Sequence, residues 1–181
     1  MKRFHRLYWL VVVALAGIVL AGGCAAPTPA PAAAPTGAGS WMDIELTDAA
    51  TGQTFRISDF KGRPVLLESF AVGCPTCLRQ QMEIAKVRER EGDAIVHISL
   101  DTDPNEDVAK VKEHLEKHGF DWYFVISPIE LTNALIDEFG LSVVNAPSAP
   151  VILISADQSA RLLKSGVKSA DELLTEVRKG Q

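Results

Sequence analysis

Acidic side chains are missing from the first 42 residues of this 181-residue chain, and cysteine is scarce throughout, occurring only at Cys24, Cys74 and Cys77. Three cysteines exclude a disulfide-dense scaffold. With no second Cys-x-x-Cys pair to complete a set of about four ligands, they also argue against a zinc ribbon. No apolar run reaches the roughly 20 residues that cross a bilayer comfortably. Basic excess is lacking too. Once Lys2, Arg3 and Arg6 are set aside, 15 basic side chains face 23 acidic ones, so the remainder carries a charge near −8. That sign argues against nucleic acid as a partner and against an electrostatic grip on an anionic membrane.

What the first forty residues do have is order. "MKRFHRLYWLVVVALAGIVLAGGC" runs from basic to apolar to small residues, as a secretory signal peptide does. Ala21-Gly22-Gly23-Cys24 resembles a lipobox, with Ala21 where leucine is usual, which implies acylation of Cys24. An uncleaved signal anchor is the alternative. Either way the protein is expected outside the cytoplasm, tethered to a membrane through a lipid or the signal itself. "AAPTPAPAAAPTGAGS" follows, with four prolines and no charge, and reads as a spacer. The expected organisation is a signal peptide at 1–23, Cys24 plus linker at 24–40 and a folded domain at 41–181.

Within that domain "DIELTDAATGQTFRI" reads as a hairpin turning at Thr51-Gly52. Val65 to Phe70 reads as a central strand, and Leu78, Met82, Ala85 and Val87 predict a helix from Pro75 to about Arg90. Ala94 to Leu100 is a second strand and "DWYFVIS" a third. "DPNE" (103–106), "SPIE" (127–130) and Ser169 with Glu172 each predict a capping box opening a helix. Gly119 and Gly140 supply stop signals. "PVILIS" and "ARLLKSG" form a late hairpin. The order ββ, βαβ, α, β, α, β, β, α predicts an α/β fold with a mixed central sheet and helices on both faces.

A Cys-x-x-Cys pair where a strand meets a helix has a physical meaning. Unpaired amides and the helix dipole at that junction stabilise a thiolate on Cys74. Pro75 has no amide hydrogen to lose in the first turn, and Cys77, one turn on, is placed to attack Cys74. The chemistry predicted is thiol–disulfide exchange through a mixed disulfide. A purely structural bridge closes too small a loop to stabilise much. His114 and His118, at i,i+4, read as a solvated helix face, and His97 as a packed or half-exposed strand residue rather than a ligand. No metal and no cofactor are expected.

"FKGRPVLLESFAVGCPTC", "SLDTDPNEDVAKVKEHLEKHGFDWYFVIS" and "SAPVILIS" together resemble the thioredoxin superfamily, in its extracytoplasmic TlpA/ResA-like branch, over nearly all of 41–181. The resemblance implies a thioredoxin-like fold with an N-terminal hairpin and a central strand–helix insertion. It implies Cys74 as nucleophile, Cys77 as resolving cysteine and Pro150 as a cis-proline beside the disulfide. Glu68, which interrupts "VLLESF", matches the acid behind the cysteines, with a raised pKa and a proton to exchange with Cys77. Gly73, Pro75, Thr76 and Ala149 match the substrate groove. Gly73 stands where the branch usually has tryptophan, and Pro-Thr reverses the common order between the cysteines, which leaves the direction of electron flow open. Arg79 reads either as a further thiolate stabiliser or as an exposed helix charge.

The partners implied are protein thiols or disulfides and a membrane or extracytoplasmic thiol donor. Reduction of selected disulfides, as in cytochrome c maturation, is favoured over general oxidation. Two rival readings are a peroxiredoxin-like thiol peroxidase, which needs threonine where Ala71 stands, and a Sco-like copper chaperone. The chaperone needs three residues between its cysteines and a histidine near the proline strand.

Overall fold

The structure, a computed structural model, describes residues 40–180; the expected signal peptide, Cys24 and the linker up to residue 39 lie outside the described residues. β1 (Leu46–Thr47) and β2 (Thr54–Phe55) form the expected hairpin as a small antiparallel sheet of their own. Its turn is fastened by the Asp48 carboxylate, which accepts hydrogen bonds from Thr51 N–H (3.0 Å) and Thr51 Oγ1 (2.7 Å).

The main sheet holds β3 (Val65–Phe70), β4 (Val96–Asp101), β5 (Tyr123–Ile126), β6 (Val151–Ile154) and β7 (Ala160–Leu162) in the order β5-β4-β3-β6-β7. β3, β4 and β5 run parallel, while β6 and β7 are antiparallel additions. Four helices accompany them: α1 (Pro75–Glu91), α2 (Val108–His118), α3 (Ile129–Phe139) and α4 (Ala170–Lys179). β3 and β4 are buried along their whole length, as strands covered on both faces are. Side-chain alternation divides the core. Leu66 and Phe70 pack with Ile84 and Val87 of α1, Val111 of α2 and Leu173 of α4. Val65 and Leu67 pack with Leu131 and Leu135 of α3 on the other face. Each such side chain contributes about 1.5–3 kcal/mol by leaving water. The predicted α/β architecture is the one found.

The helix starts differ from expectation. α2 begins at Val108, capped by Asp107, whose side chain accepts Lys110 N–H at 2.9 Å. The 103–106 box does not form because Asp103 closes a turn on Asn105 and Glu106 is drawn away to Val72 N–H at 2.7 Å. α3 begins at Ile129 behind Pro128 without a side-chain cap, since Ser127 Oγ pairs with Thr132 Oγ1 instead. Only the Ser169–Glu172 box closes as predicted. On α1 the buried face is Cys77, Gln80, Gln81, Ile84 and Val87, while Met82 is exposed.

The β3–β6 register decides where chemistry can happen. Val151 stands opposite Glu68 in an antiparallel pair, so the start of β6 lies beside the end of β3. The loop leading to Cys74 and the loop ending at Pro150 therefore meet at one end of the sheet.

Candidate active site

Three residues carry the chain from Phe70, at the end of the sheet, to Cys74, the N-cap residue of α1. Cys74 is extended (φ −87°, ψ 110°) and its Sγ accepts the Cys77 N–H at 3.2 Å; Pro75 fills the first helical position. Cys74 is half-buried and Cys77 only 1% exposed. The two are joined as a disulfide with their Cα atoms 5.3 Å apart. Cys77 Sγ also lies 3.3 Å from the carbonyl oxygen of Ala146, in the 3₁₀ turn Ala146–Ser148.

The two sulfurs thus sit in opposite local fields. An amide hydrogen and the positive end of α1 favour a thiolate at Cys74. A carbonyl oxygen in a dry setting accepts a hydrogen bond from a thiol and repels a thiolate, so it favours the protonated form at Cys77.

Pro150 is buried directly ahead of β6, as its match requires, but the peptide bond before it is trans, against the cis bond expected. The chain is turned instead by Ala149, which adopts a left-handed conformation (φ 48°, ψ 56°). That conformation costs a non-glycine residue roughly 1 kcal/mol or more. It is held by Lys168, a buried ammonium that donates to the carbonyls of Ala149 (2.6 Å), Gly166 (2.5 Å) and Lys164 (3.3 Å).

Glu68 lies in mid-strand, 2% exposed. Ser99, its partner in register on β4, donates from Oγ to Glu68 Oε1 at 2.6 Å and accepts from Trp122 Nε1 at 2.9 Å. Burial pushes the Glu68 pKa up to about 7; the Ser99 hydrogen bond, Gln81 and the charge of Lys168 pull the other way and only partly offset it. Gln81, one helical turn beyond Cys77 on the buried face of α1, is the residue of that helix that acts on the carboxyl. Gln81 Oε1 is bonded to His114 Nε2 at 2.7 Å, while its Nε2 makes no well-aligned bond.

Of the expected groove residues, Gly73 and Pro75 line an opening of about 340 Å³ between Cys74 and α2. No atom lies within 4 Å of where a Cβ at residue 73 would sit, so the absent aromatic leaves open space. Thr76 and Ala149 do not line it. Thr76 Oγ1 accepts a hydrogen bond from Arg79 Nη2 at 3.1 Å, which turns Arg79 toward Thr76, and Ala149 is buried.

His114 is not on a solvated face, as its spacing suggested, but buried against Phe70 and Gln81. His97 is packed as expected, edge-on to Trp122, with neither ring nitrogen partnered. Sequence reading missed Ser99, Gln81, Lys168 and the Ala146 carbonyl. A glutamine pair at 80–81 on the buried face of α1 was the available signal for the second of these.

Several solved structures share this arrangement of strands and helices. A thiol:disulfide interchange protein of the thioredoxin family from Chlorobium tepidum TLS is 18% identical, with a TM-score of 0.62 over 76% of this chain and 92% of that one. A secreted Mycobacterium tuberculosis disulfide oxidoreductase homologous to E. coli DsbE is also 18% identical, with a TM-score of 0.58 over 78% and 99%. A SCO1/SenC family lipoprotein from Bacillus anthracis str. Ames is 17% identical, with a TM-score of 0.59 over 76% and 92%. At such identities the likeness is one of fold. No curated protein sequence matches the chain significantly. Residues 26–174, most of the chain, match the redoxin family. With its Cys-x-x-Cys pair bridged at the mouth of α1 in a thioredoxin-like fold, the chain belongs to the redoxin family and is a thiol–disulfide oxidoreductase.

Proposed function

We propose that this protein reduces selected protein disulfides outside the cytoplasm while tethered to a membrane, through acylated Cys24 or its signal segment. The observation that carries the assignment of roles is the asymmetry of the two sulfurs. Cys74 Sγ is half-exposed and bonded to an amide, while Cys77 Sγ is buried against a carbonyl.

In the reduced protein the Cys74 thiolate attacks a substrate disulfide, forming a mixed disulfide and expelling one substrate thiolate, which takes up a proton. Cys77 then loses its proton to the Glu68 carboxylate and attacks Cys74 Sγ. The Cys74–Cys77 bond forms, the mixed disulfide breaks, and the second substrate sulfur leaves as a thiolate. Two electrons have passed from the pair to the substrate. A group titrating near 7 suits that proton transfer, because it is a base half the time and an acid the other half. A membrane or extracytoplasmic thiol donor must then return two electrons to the pair.

Cytochrome c maturation is the task that fits a tethered reductant of this branch. The secreted and lipoprotein character of two fold relatives supports the compartment. Replacement tests the roles. Cys74→Ser abolishes reduction of insulin disulfides, and Cys77→Ser accumulates a mixed disulfide with its partner. A Cys77→Ser protein that captures nothing, together with a wild-type pair that binds copper tightly, would establish a chaperone instead. A reduction potential near −270 mV supports a reductant, and one near −120 mV an oxidant, these being about the values for thioredoxin and DsbA.

A further inference from the structure

The groove beside Cys74 is walled on one side by α1 and its approach, through Gly73, Pro75 and Leu78, and on the other by α2. From α2 it receives Lys110, Lys117 and His118, with Glu113 as the one acid. Some cations elsewhere pair with carboxylates, Arg88 with Asp93 and Asp121, Arg90 with Asp171, Arg161 with Glu176, while Lys61, Arg63, Lys112 and Lys164 enter no ion pair among the described residues. Among the described residues neither Lys110 nor Lys117 enters an ion pair, and Glu113, between them in sequence, neutralises neither at bonding distance. Lys110 Nζ donates to the carbonyl of Asn105, and its charge is felt by the Asp103 carboxylate without an ion pair forming. A domain near −8 overall thus lines the groove beside its reactive sulfur with two lysines against one glutamate, Glu106 lying behind the groove wall on Val72 N–H.

We infer that this groove selects disulfide substrates in which the attacked cysteine lies in an extended peptide segment carrying aspartate or glutamate. The inference rests on the exchange activity above and names its substrate class. The missing side chain at Gly73 leaves room for the peptide backbone, and Leu78 offers an apolar floor beside the sulfur. Lys110 and Lys117 lie seven residues apart on one helix face, about two turns or 10 Å, the reach of three extended residues. Basic residues in the last turn of α2 also complement its dipole, but that role is indifferent to what the substrate carries.

The test uses the reduced protein and three synthetic peptides with the same internal disulfide, flanked by glutamates, by glutamines or by lysines. The acidic peptide is expected to show the highest kcat/KM, about threefold to tenfold above the basic one, the factor that two exposed ion pairs supply. Its rate should fall as salt rises, whereas repulsion by the domain's net charge would make it climb. Lys110→Glu with Lys117→Glu should reverse the order. Lys112→Glu, the same replacement made once on α2 outside the groove and half the total change in charge, should not. Equal rates for the three peptides, a preference for lysines, or an equal effect of Lys112→Glu would overturn the inference. No reaction with any peptide would overturn the exchange reading along with it, which separates the two failures.

Discussion

Glu68→Gln separates the charge of the buried acid from its shape. The carboxyl is raised from 4.5 to about 7, chiefly by desolvation. A raised carboxyl means the folded state holds its proton more tightly than the unfolded chain does. Below about pH 4.5 both states are protonated and the group costs nothing. Between 4.5 and 7 the unfolded chain ionises first, so stability drains as pH rises, and above 7 the loss is complete. The displacement corresponds to about 3 kcal/mol. Glutamine keeps the oxygen that accepts from Ser99 and cannot ionise. Urea unfolding of both proteins from pH 4 to 9 should therefore show the variant gaining on the wild type across that window, by up to about 3 kcal/mol at pH 8. The same variant should lose the step near pH 7 in the rate at which Cys77 resolves a mixed disulfide. A difference in stability that stays flat with pH would refute the argument, because the carboxyl would then be ionised in the fold at no cost.

Other replacements test the surroundings of that acid. Ser99→Ala removes the hydrogen bond that lowers the Glu68 pKa and strands Trp122 Nε1, so the titration midpoint should move up and stability fall by about 1–3 kcal/mol. Lys168→Met should also raise the Glu68 midpoint, since the ammonium favours the carboxylate. By freeing the Ala149 carbonyl it should quicken alkylation of reduced Cys77. His97 runs the other way in pH. Burial lowers its pKa from 6.5 to about 4, so the fold loses stability as acidity increases through that interval. His97→Leu should flatten the acid limb of the same unfolding series.

The junction of β3 and α1 was legible because its signals are local. An apolar run ends, cysteine caps, proline follows, and no distant group competes. Glu68 was legible for the same reason, as a lone charge inside "VLLESF". The capping box at 103–106 failed where a tertiary partner, Val72 N–H, outbid the local one for Glu106, and the box at 127–130 failed where another nearby group, the Thr132 hydroxyl five residues on, took Ser127. Ser99, Gln81 and Lys168 reach Glu68 only through strand register and helix docking, which no short window of sequence encodes. The place of Pro150 could be read from the strand behind it. The isomer of its bond could not, because folded context selects between states that differ by about 1 kcal/mol in the open chain.

The antiparallel insertion of β6 also sets a timetable. Cys74 and Cys77 become neighbours as soon as one turn of α1 coils, yet the oxygen that protects the second sulfur belongs to a residue 69 positions later. A chain still folding therefore carries an unguarded thiol at Cys77 until its final third is in place. Quenched-flow alkylation during refolding should find Cys77 becoming unreactive in step with β6, and a sulfur shielded earlier would contradict that schedule.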